Sequence, residues 1–339
     1  MKILVTGGAG FIGSHTVVAL SEAGFIPVII DDFSNSEQQA LAGLEKILGF
    51  RPRCYVENCH NPEVLRRIFK EEQIAGVIHF AAFKAVGESI EEPLKYYDNN
   101  LGSLIVLLQT MLECGITNLI FSSSATVYGQ PAELPVKEET PLPPSTSVYG
   151  NTKQIGEEIL RDLSVAKKAV KAISLRYFNP VGAHPTAFIG ELPRGVPNNL
   201  VPYLTQTAAG IRPDLTVFGD DYDTPDGTCL RDYIHVMDLA EAHVESLKFL
   251  INKPVSTFYD VFNVGTGQGN SVLEIIHAFG EVTGRPLNFK MGPRRVGDVS
   301  AVYADVSKIR QHMHWQARRS MHDGLEDAWR WQQSLIKAV

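Results

Sequence analysis

The chain has 339 residues, 44% of them apolar and 20% charged, with a formal net charge of −7. That length supports one large or two smaller domains with a well-buried core, and an acidic balance with no basic stripe excludes a general nucleic-acid role. No apolar stretch approaches the ~18 residues of a membrane span, and four scattered cysteines without a C-x-x-C pair argue against disulfides or a zinc site. The opening run Met1-Lys2-Ile3-Leu4-Val5 is too short for the apolar core of a signal segment. The expectation is a cytoplasmic protein with reduced thiols, no bound metal, and no nucleic-acid or membrane partner.

In chain order, Ile3 to Thr6 reads as a short buried strand, followed by a glycine turn and a helix to about Ala23. Pro27 to Ile30 is a second strand, ending at Asp31-Asp32. Ala75 to Phe80 and Asn118 to Phe121 read as further strands, each preceded by a helical segment, Pro62 to Glu72 and Leu101 to Cys114. Ala169 to Leu175 follows in the same way after a helix over 152–163. This alternation predicts an α/β fold with a doubly wound parallel sheet of Rossmann type.

From Asn179 to Pro202 the chain turns rich in Pro, Gly and Asn. That composition reads as a long ordered loop of functional kind, or a small lobe on the substrate side. His235 to Leu250 returns to helix and Phe258 to Val264 to strand. The predicted division is a nucleotide-binding domain over 1–178, recruiting about 235–264, and a smaller substrate-binding lobe over 179–339. The helix from Leu101 is apolar around much of its circumference, which suits either a wholly internal helix or a homodimer interface formed with the 152–163 helix.

Two constellations carry chemistry. Gly7, Gly10 and Gly13 follow a strand and open a helix, a context in which a backbone turn approaches a pyrophosphate at the helix N-terminus. Asp31, at the end of the next strand, stands at the distance where a carboxylate accepts from ribose hydroxyls. It would repel a 2′-phosphate, so NAD is preferred over NADP. Further on, Tyr149 and Lys153 share one helix face, downstream of Ser122, Ser123 and Ser124. An adjacent cation favours the phenolate and lowers a Tyr pKa, so with Lys153 and a positively charged nicotinamide ring beside it a base poised near neutrality is expected.

Thr6-Gly7-x-x-Gly10-x-x-Gly13, Ser122-Ser-Ser-Ala-Thr-Val-Tyr128-Gly and Tyr149-x-x-x-Lys153 resemble the extended short-chain dehydrogenase/reductase family. Longer strings resemble its UDP-glucose 4-epimerase branch over nearly the whole chain. They are Phe80-Ala-Ala-Phe-Lys84, Tyr96-Tyr-Asp-Asn-Asn100, Arg176-Tyr-Phe-Asn-Pro-Val-Gly-Ala-His184 and Arg231-Asp-Tyr-Ile-His-Val-Met-Asp238.

The resemblance implies NAD as cofactor and a UDP-hexose as substrate. Carbon 4 of the sugar would be oxidised transiently, the 4-keto sugar would turn, and hydride would return to its other face. Tyr149 would be the base, Ser124 would hold the reacting oxygen, and Lys153 would hold the nicotinamide ribose. Phe11, Ile12, Asp31, Asp32, Asn35, Phe80, Ala81, Lys84, Asn99, Ser122 and Phe178 would line the dinucleotide. Asn179, Asn199, Leu200, Phe218, Arg231, Arg295 and Asp298 would take the sugar nucleotide, the arginines suiting a diphosphate and Phe218 the uracil.

Two departures from the pattern matter. Asn58 and Cys59 stand where the family carries an Asp and an apolar residue near the adenine, and Asn58→Asp is expected to keep or tighten cofactor binding. Val302 stands where some relatives place a Tyr against the sugar, which leaves room for a 2-acetamido group unless Tyr303 fills it. The alternatives are another NAD-dependent sugar-nucleotide enzyme, a 4,6-dehydratase or decarboxylase, or a non-catalytic NAD-binding sensor. Ala125-Thr126 lacks the carboxylate pair that water elimination needs, and retention of Ser124, Tyr149 and Lys153 speaks against a sensor.

Overall fold

Seven strands form one sheet in the order Phe258–Val264, Lys171–Tyr177, Asn118–Ser122, Ile74–His79, Lys2–Thr6, Ile26–Ile30, Arg53–Tyr55. Every pairing in it is parallel. The structure, a computed structural model, describes residues 1–295 and 297–337. Val296, inside the arginine loop, and the last two positions of the 179–339 range lie outside the described residues.

Alternate residues of these strands feed separate cores, because successive side chains point to opposite faces. Ile3, Val5 and Ile29 pack with Val17 and Leu20 of helix Phe11–Glu22 and with Leu239 and Leu247 of helix Val236–Ile251. Leu4, Val28 and Ile30 pack on the other side with Leu65, Ile68, Leu104, Leu107 and Met111. Helices thus cover both faces, which is why these strands read as continuous apolar runs rather than alternating ones.

The winding reverses between Lys2–Thr6 and Ile74–His79, neighbours in the sheet although two strands intervene in sequence. Connections leave these two strands in opposite directions, so a crevice opens at their carboxyl ends, the place where open α/β sheets bind ligands. Phe258–Val264 pairs residue by residue with Lys171–Tyr177, so the second half of the chain completes the sheet as its edge. The remaining segments build a third apolar core from Val181, Leu204, Val217, Tyr233, Ile276, Phe279 and Leu325. Helices Leu200–Ala208, Val272–Thr283 and Met321–Lys337 surround it, and none of them was anticipated from sequence.

Several boundaries shift for local reasons. His235 is not helical but caps the next helix, its Nδ1 accepting from the Met237 amide at 3.0 Å. The helix expected from Leu101 begins at Ser103 and is preceded by a π-helical turn, Tyr97–Gly102. Such turns often mark functional sites, and this one carries Asn99 and Asn100. Asn100 accepts from the Phe83 amide at 2.9 Å and donates to the Phe83 carbonyl at 3.0 Å, which pins the loop after strand Ile74–His79. On helix Ser103–Cys114, Leu104, Leu107, Leu108 and Met111 are buried, whereas Ile105 is 42% exposed.

Candidate active site

A cavity of about 970 Å³ opens along the carboxyl ends of the strands. One end is built by the glycine turn. Gly7 has φ +68°, and a Cβ on it would stand 2.9 Å from the Ala81 nitrogen, while one on Gly13 would collide with the Gly7 carbonyl. Only glycine lets the backbone lie this close to the next strand end. Gly10 caps helix Phe11–Glu22 without a side-chain acceptor, so its first-turn amides and the positive end of the helix dipole face the cavity.

Asp31 is buried at the same end. Its Oδ2 accepts from the Ala9 amide at 2.9 Å, and its Oδ1 accepts from the Phe33 amide at 3.0 Å and Ser36 Oγ at 2.7 Å. The carboxylate therefore shapes loop 31–37 as well as presenting charge. Asp32 accepts from Asn58 Nδ2 at 2.9 Å, and Asn58 Oδ1 accepts from the His60 amide at 2.8 Å. Cys59 is buried beside them, its thiol pushed up to about 12 by desolvation, so it forms an inert apolar wall. These residues fit a dinucleotide without a 2′-phosphate: open amides for a pyrophosphate, and carboxylates where a ribose would lie.

The other end holds the reactive groups. Ser122, Ser123 and Ser124 leave strand Asn118–Ser122 with different tasks. Ser122 accepts at its carbonyl from Lys153 Nζ at 2.7 Å, and its Oγ shares a 2.6 Å hydrogen bond with the Tyr177 hydroxyl. Ser123 Oγ donates to Glu157 Oε1 at 2.5 Å. Ser124 caps the short helix Ala125–Tyr128, its Oγ accepting from the Thr126 amide at 3.2 Å.

Tyr149 and Lys153 lie on helix Val148–Val165, in its first two turns, capped by Ser147 Oγ, which accepts from the Gly150 amide at 3.1 Å. Lys153 Nζ stands 5.8 Å from the Tyr149 ring centroid. Burial pulls Lys153 down to about 8, opposed by the Glu157 carboxylate. Burial also pushes the Tyr149 phenol up, opposed by the nearby Ser124 hydroxyl. The expected fall of the Tyr149 pKa toward neutrality is therefore not produced by Lys153 alone. Within the chain, Ser124 and the helix N-terminus favour the phenolate, and burial works against it.

All the expected dinucleotide residues, Gly7, Gly10, Phe11, Ile12, Gly13, Asp31, Asp32, Asn35, Asn58, Cys59, Phe80, Ala81, Lys84, Asn99, Ser122, Tyr149, Lys153 and Phe178, line this one cavity. So do Ser124, Asn179, Asn199, Arg231, Arg295, Asp298 and Val302. Two expected sugar-nucleotide residues do not. Leu200 opens helix Leu200–Ala208 and packs against the third core, and Phe218 is 43% exposed outside the lining, with the Arg295 guanidinium 5.7 Å from its ring centroid. Asp298 accepts from Arg295 Nε and Nη2, both at 3.1 Å, and stands 3.8 Å from Arg231 Nη2. It thus holds the two arginines side by side.

Sequence reasoning missed Glu157, Arg176 and Glu191. Glu157 and Arg176 form a buried pair with contacts from 2.6 to 3.2 Å behind Ser123. Glu191 accepts from Asn199 Nδ2 at 2.7 Å and pairs with Lys84 Nζ at 3.4 Å. A helix spacing of four from Lys153 could have singled out Glu157; Glu191 sits in a loop with no periodic signal.

Comparison with known proteins decides between the related chemistries. A family model described as GDP-mannose 4,6 dehydratase matches residues 4–328. A UDP-glucose 4-epimerase of Neisseria meningitidis serogroup B (strain ATCC BAA-335 / MC58) is 49% identical over 330 residues, 97% of this chain and 96% of that one. The UDP-glucose 4-epimerase of Stenotrophomonas maltophila, crystallised with NAD and formylated UDP-arabinopyranose, is 44% identical with a TM-score of 0.97, covering 100% of both chains. That of Bifidobacterium longum, in complex with NAD+ and UDP, is 45% identical with a TM-score of 0.94, again over 100% of both chains.

The chain belongs to the UDP-glucose 4-epimerase family. Ala125 and Thr126 line the cavity beside Ser124 without a carboxylate, so the acid and base of a dehydratase are missing where elimination would need them. Epimerisation at a carbinol carbon needs no such pair, only a group that exchanges a proton with the oxygen and a hydride carrier for the carbon.

Two predictions come from this geometry. Removing the Ser124 hydroxyl removes the group that draws the Tyr149 pKa down; in Ser124→Ala the alkaline rise of kcat should move to higher pH, with activity near neutrality falling roughly 10²-fold or more. A pH–rate profile unchanged in position would contradict this. Asn58→Asp, expected from sequence to keep or tighten cofactor binding, would instead remove the donor to Asp32 and set two carboxylates together. Like charges at this range destabilise the charged pair, so that variant should release NAD faster on dialysis than the parent protein.

Proposed function

We propose that the chain interconverts UDP-glucose and UDP-galactose with NAD as a bound, recycled cofactor. The observation that carries this reading is the convergence of Tyr149, Lys153 and Ser124 at one end of a cavity whose other end carries the glycine turn and Asp31. NAD, when bound there, supplies the hydride acceptor and donor for carbon 4 of the sugar.

The chain's own residues handle the proton and the positioning. The Tyr149 phenolate oxygen takes the proton of the sugar 4-hydroxyl and gives it back when the opposite epimer forms. Ser124 hydrogen-bonds the same oxygen and favours the charged form of Tyr149. Lys153, held by the Ser122 carbonyl, adds positive potential in a water-poor site where charge counts for more. Arg231 and Arg295, aligned by Asp298, take the diphosphate. With the nucleotide anchored there, the hexose can turn between the two half-reactions.

The cavity also suits sugars with a 2-acetamido group. Val302 faces it and pairs in register with Arg231. Tyr303 turns away: a Cβ on Gly269 would stand 2.8 Å from its ring, so the neighbouring phenol does not fill the space. UDP-N-acetylglucosamine and UDP-N-acetylgalactosamine are therefore included as substrates.

The proposed division is a nucleotide-binding domain over 1–178 with 235–264, supported by the sheet pairing of Phe258–Val264, and a substrate-binding lobe from the rest of 179–339. A homodimer through helices near 101–114 and 152–163 is supported by the exposed Ile105 and the half-buried Val106 and Leu112 on helix Ser103–Cys114. No described helix is long and apolar enough to cross a membrane. A cytoplasmic location is supported by four free thiols.

Proton NMR of the purified protein with UDP-galactose and no added NAD should show the gluco anomeric signal growing in. No conversion after NAD is supplied would overturn the assignment. With UDP-N-acetylgalactosamine the same conversion is expected, and Val302→Tyr should abolish it while sparing the hexose reaction; equal loss on both substrates would refute the role given to Val302.

A further inference from the structure

Arg194 projects from the segment 182–199 to loop 31–37 on the opposite rim of the cavity. Its guanidinium donates from Nη1 to the Ser34 carbonyl at 2.5 Å and from Nη2 to the Phe33 and Ser36 carbonyls at 3.0 and 2.8 Å. Its Nε donates to Glu37 Oε1 at 2.8 Å. One side chain thereby holds four acceptors on a loop about 160 residues away in sequence, using the planar fork that only arginine provides.

The loop has reason to need holding. Phe33 has φ +56°, a left-handed conformation that costs any residue bearing a Cβ and persists only where the surroundings enforce it. From inside, Asp31 holds the Phe33 amide and Ser36 Oγ. From outside, Arg194 holds the carbonyls that this conformation turns outward. Removing the guanidinium leaves the strained loop tied on one side only.

The segment that bears Arg194 is itself anchored. Trp331 Nε1 donates to the Glu191 carbonyl at 2.8 Å, and Gly190 lies so close to the Trp331 ring that a Cβ would stand 2.5 Å from it. Glu191 in turn holds Lys84 and Asn199. The clasp therefore ties the Asp31 loop to a rigid support rather than to a free strand of chain.

We propose that Arg194 is a positioning residue for cofactor retention: it locks loop 31–37 over the adenosine end of the cavity and sets how fast the dinucleotide leaves. The inference rests on the reading that the cavity holds NAD. Arg194 touches no reacting atom; it acts through the loop that Asp31 organises.

The test compares the parent protein with Arg194→Ala and Arg194→Lys. Each is freed of unbound nucleotide by gel filtration and dialysed for timed intervals, and bound NAD is measured by absorbance after acid release. Arg194→Ala should lose NAD about ten-fold faster or more, since several hydrogen bonds holding the loop are gone. Its epimerase activity should decline in step and return on adding NAD. Arg194→Lys should fall between the two, because an ammonium cannot span the four acceptors together. Equal rates of NAD loss in Arg194→Ala and the parent would overturn the clasp while leaving the NAD reading intact. A parent protein that carries no NAD and gains no activity from it would overturn the reading on which the clasp rests.

Discussion

The active end of the cavity depends on how the end of strand Asn118–Ser122 is tied to helix Val148–Val165. Three consecutive serines leave that strand, and each is anchored differently. The Ser122 carbonyl takes Lys153, Ser123 binds Glu157, and Ser124 stays at the cavity next to Tyr149. Glu157 follows Lys153 by four residues on the same helix, so the two anchors lie one turn apart on one face. Glu157 is balanced by Arg176 from the neighbouring strand, with both side chains only 6% exposed. Breaking a buried pair of this kind strands a charge at a cost of about 3–5 kcal/mol. Strand end, helix and the Ser124 turn are therefore tied into one unit.

That rigidity has an electrostatic consequence. Lys153 is buried, and desolvation, only partly offset by the Glu157 carboxylate, draws its pKa from 10.5 to about 8. Glu157 works the other way, because a nearby carboxylate favours the ammonium. The phenol of Tyr149 meets the same low-dielectric surroundings and is pushed up. An exposed tyrosine would ionise more readily than this one, yet an exposed site would screen the charges that the reaction develops. The chain accepts the desolvation and compensates locally, with Ser124 and the start of the helix favouring the phenolate.

How much of this could be read from the sequence follows the range of the interactions. The parallel sheet was legible because apolar runs and helical periods alternate, and the glycine turn because Gly7, Gly10 and Gly13 act within a few residues of each other. Tyr149 and Lys153 were legible for the same reason. The sugar side was less so: Leu200 packs partly against the third core and Phe218 lies beside Arg295 outside the cavity lining, placements that depend on residues distant in sequence. Nothing local in the sequence records that core, since it joins residues from Val181 to Ala328. Asn58 was judged for what it offers a ligand, whereas the structure commits its amide to Asp32. Glu191 and Arg194 lie in an aperiodic loop, and their partners are distant in sequence.

The loop 182–199 shows why such residues matter. A Rossmann sheet supplies a crevice that is open by construction, since its floor is strand ends and its walls are the first turns of helices. Enclosing a ligand there requires chain from elsewhere to cross the mouth without burying unpaired backbone groups. This segment does so by leaning on Trp331 from behind and presenting Glu191 and Arg194 forward, the first to Lys84 and the second to the carbonyls of loop 31–37. The same contacts fix this segment against the strand-end loops. Arg231, Arg295 and the buried phenol of Tyr149 then line one cavity whose shape the sheet and this segment set jointly, which neither could set alone.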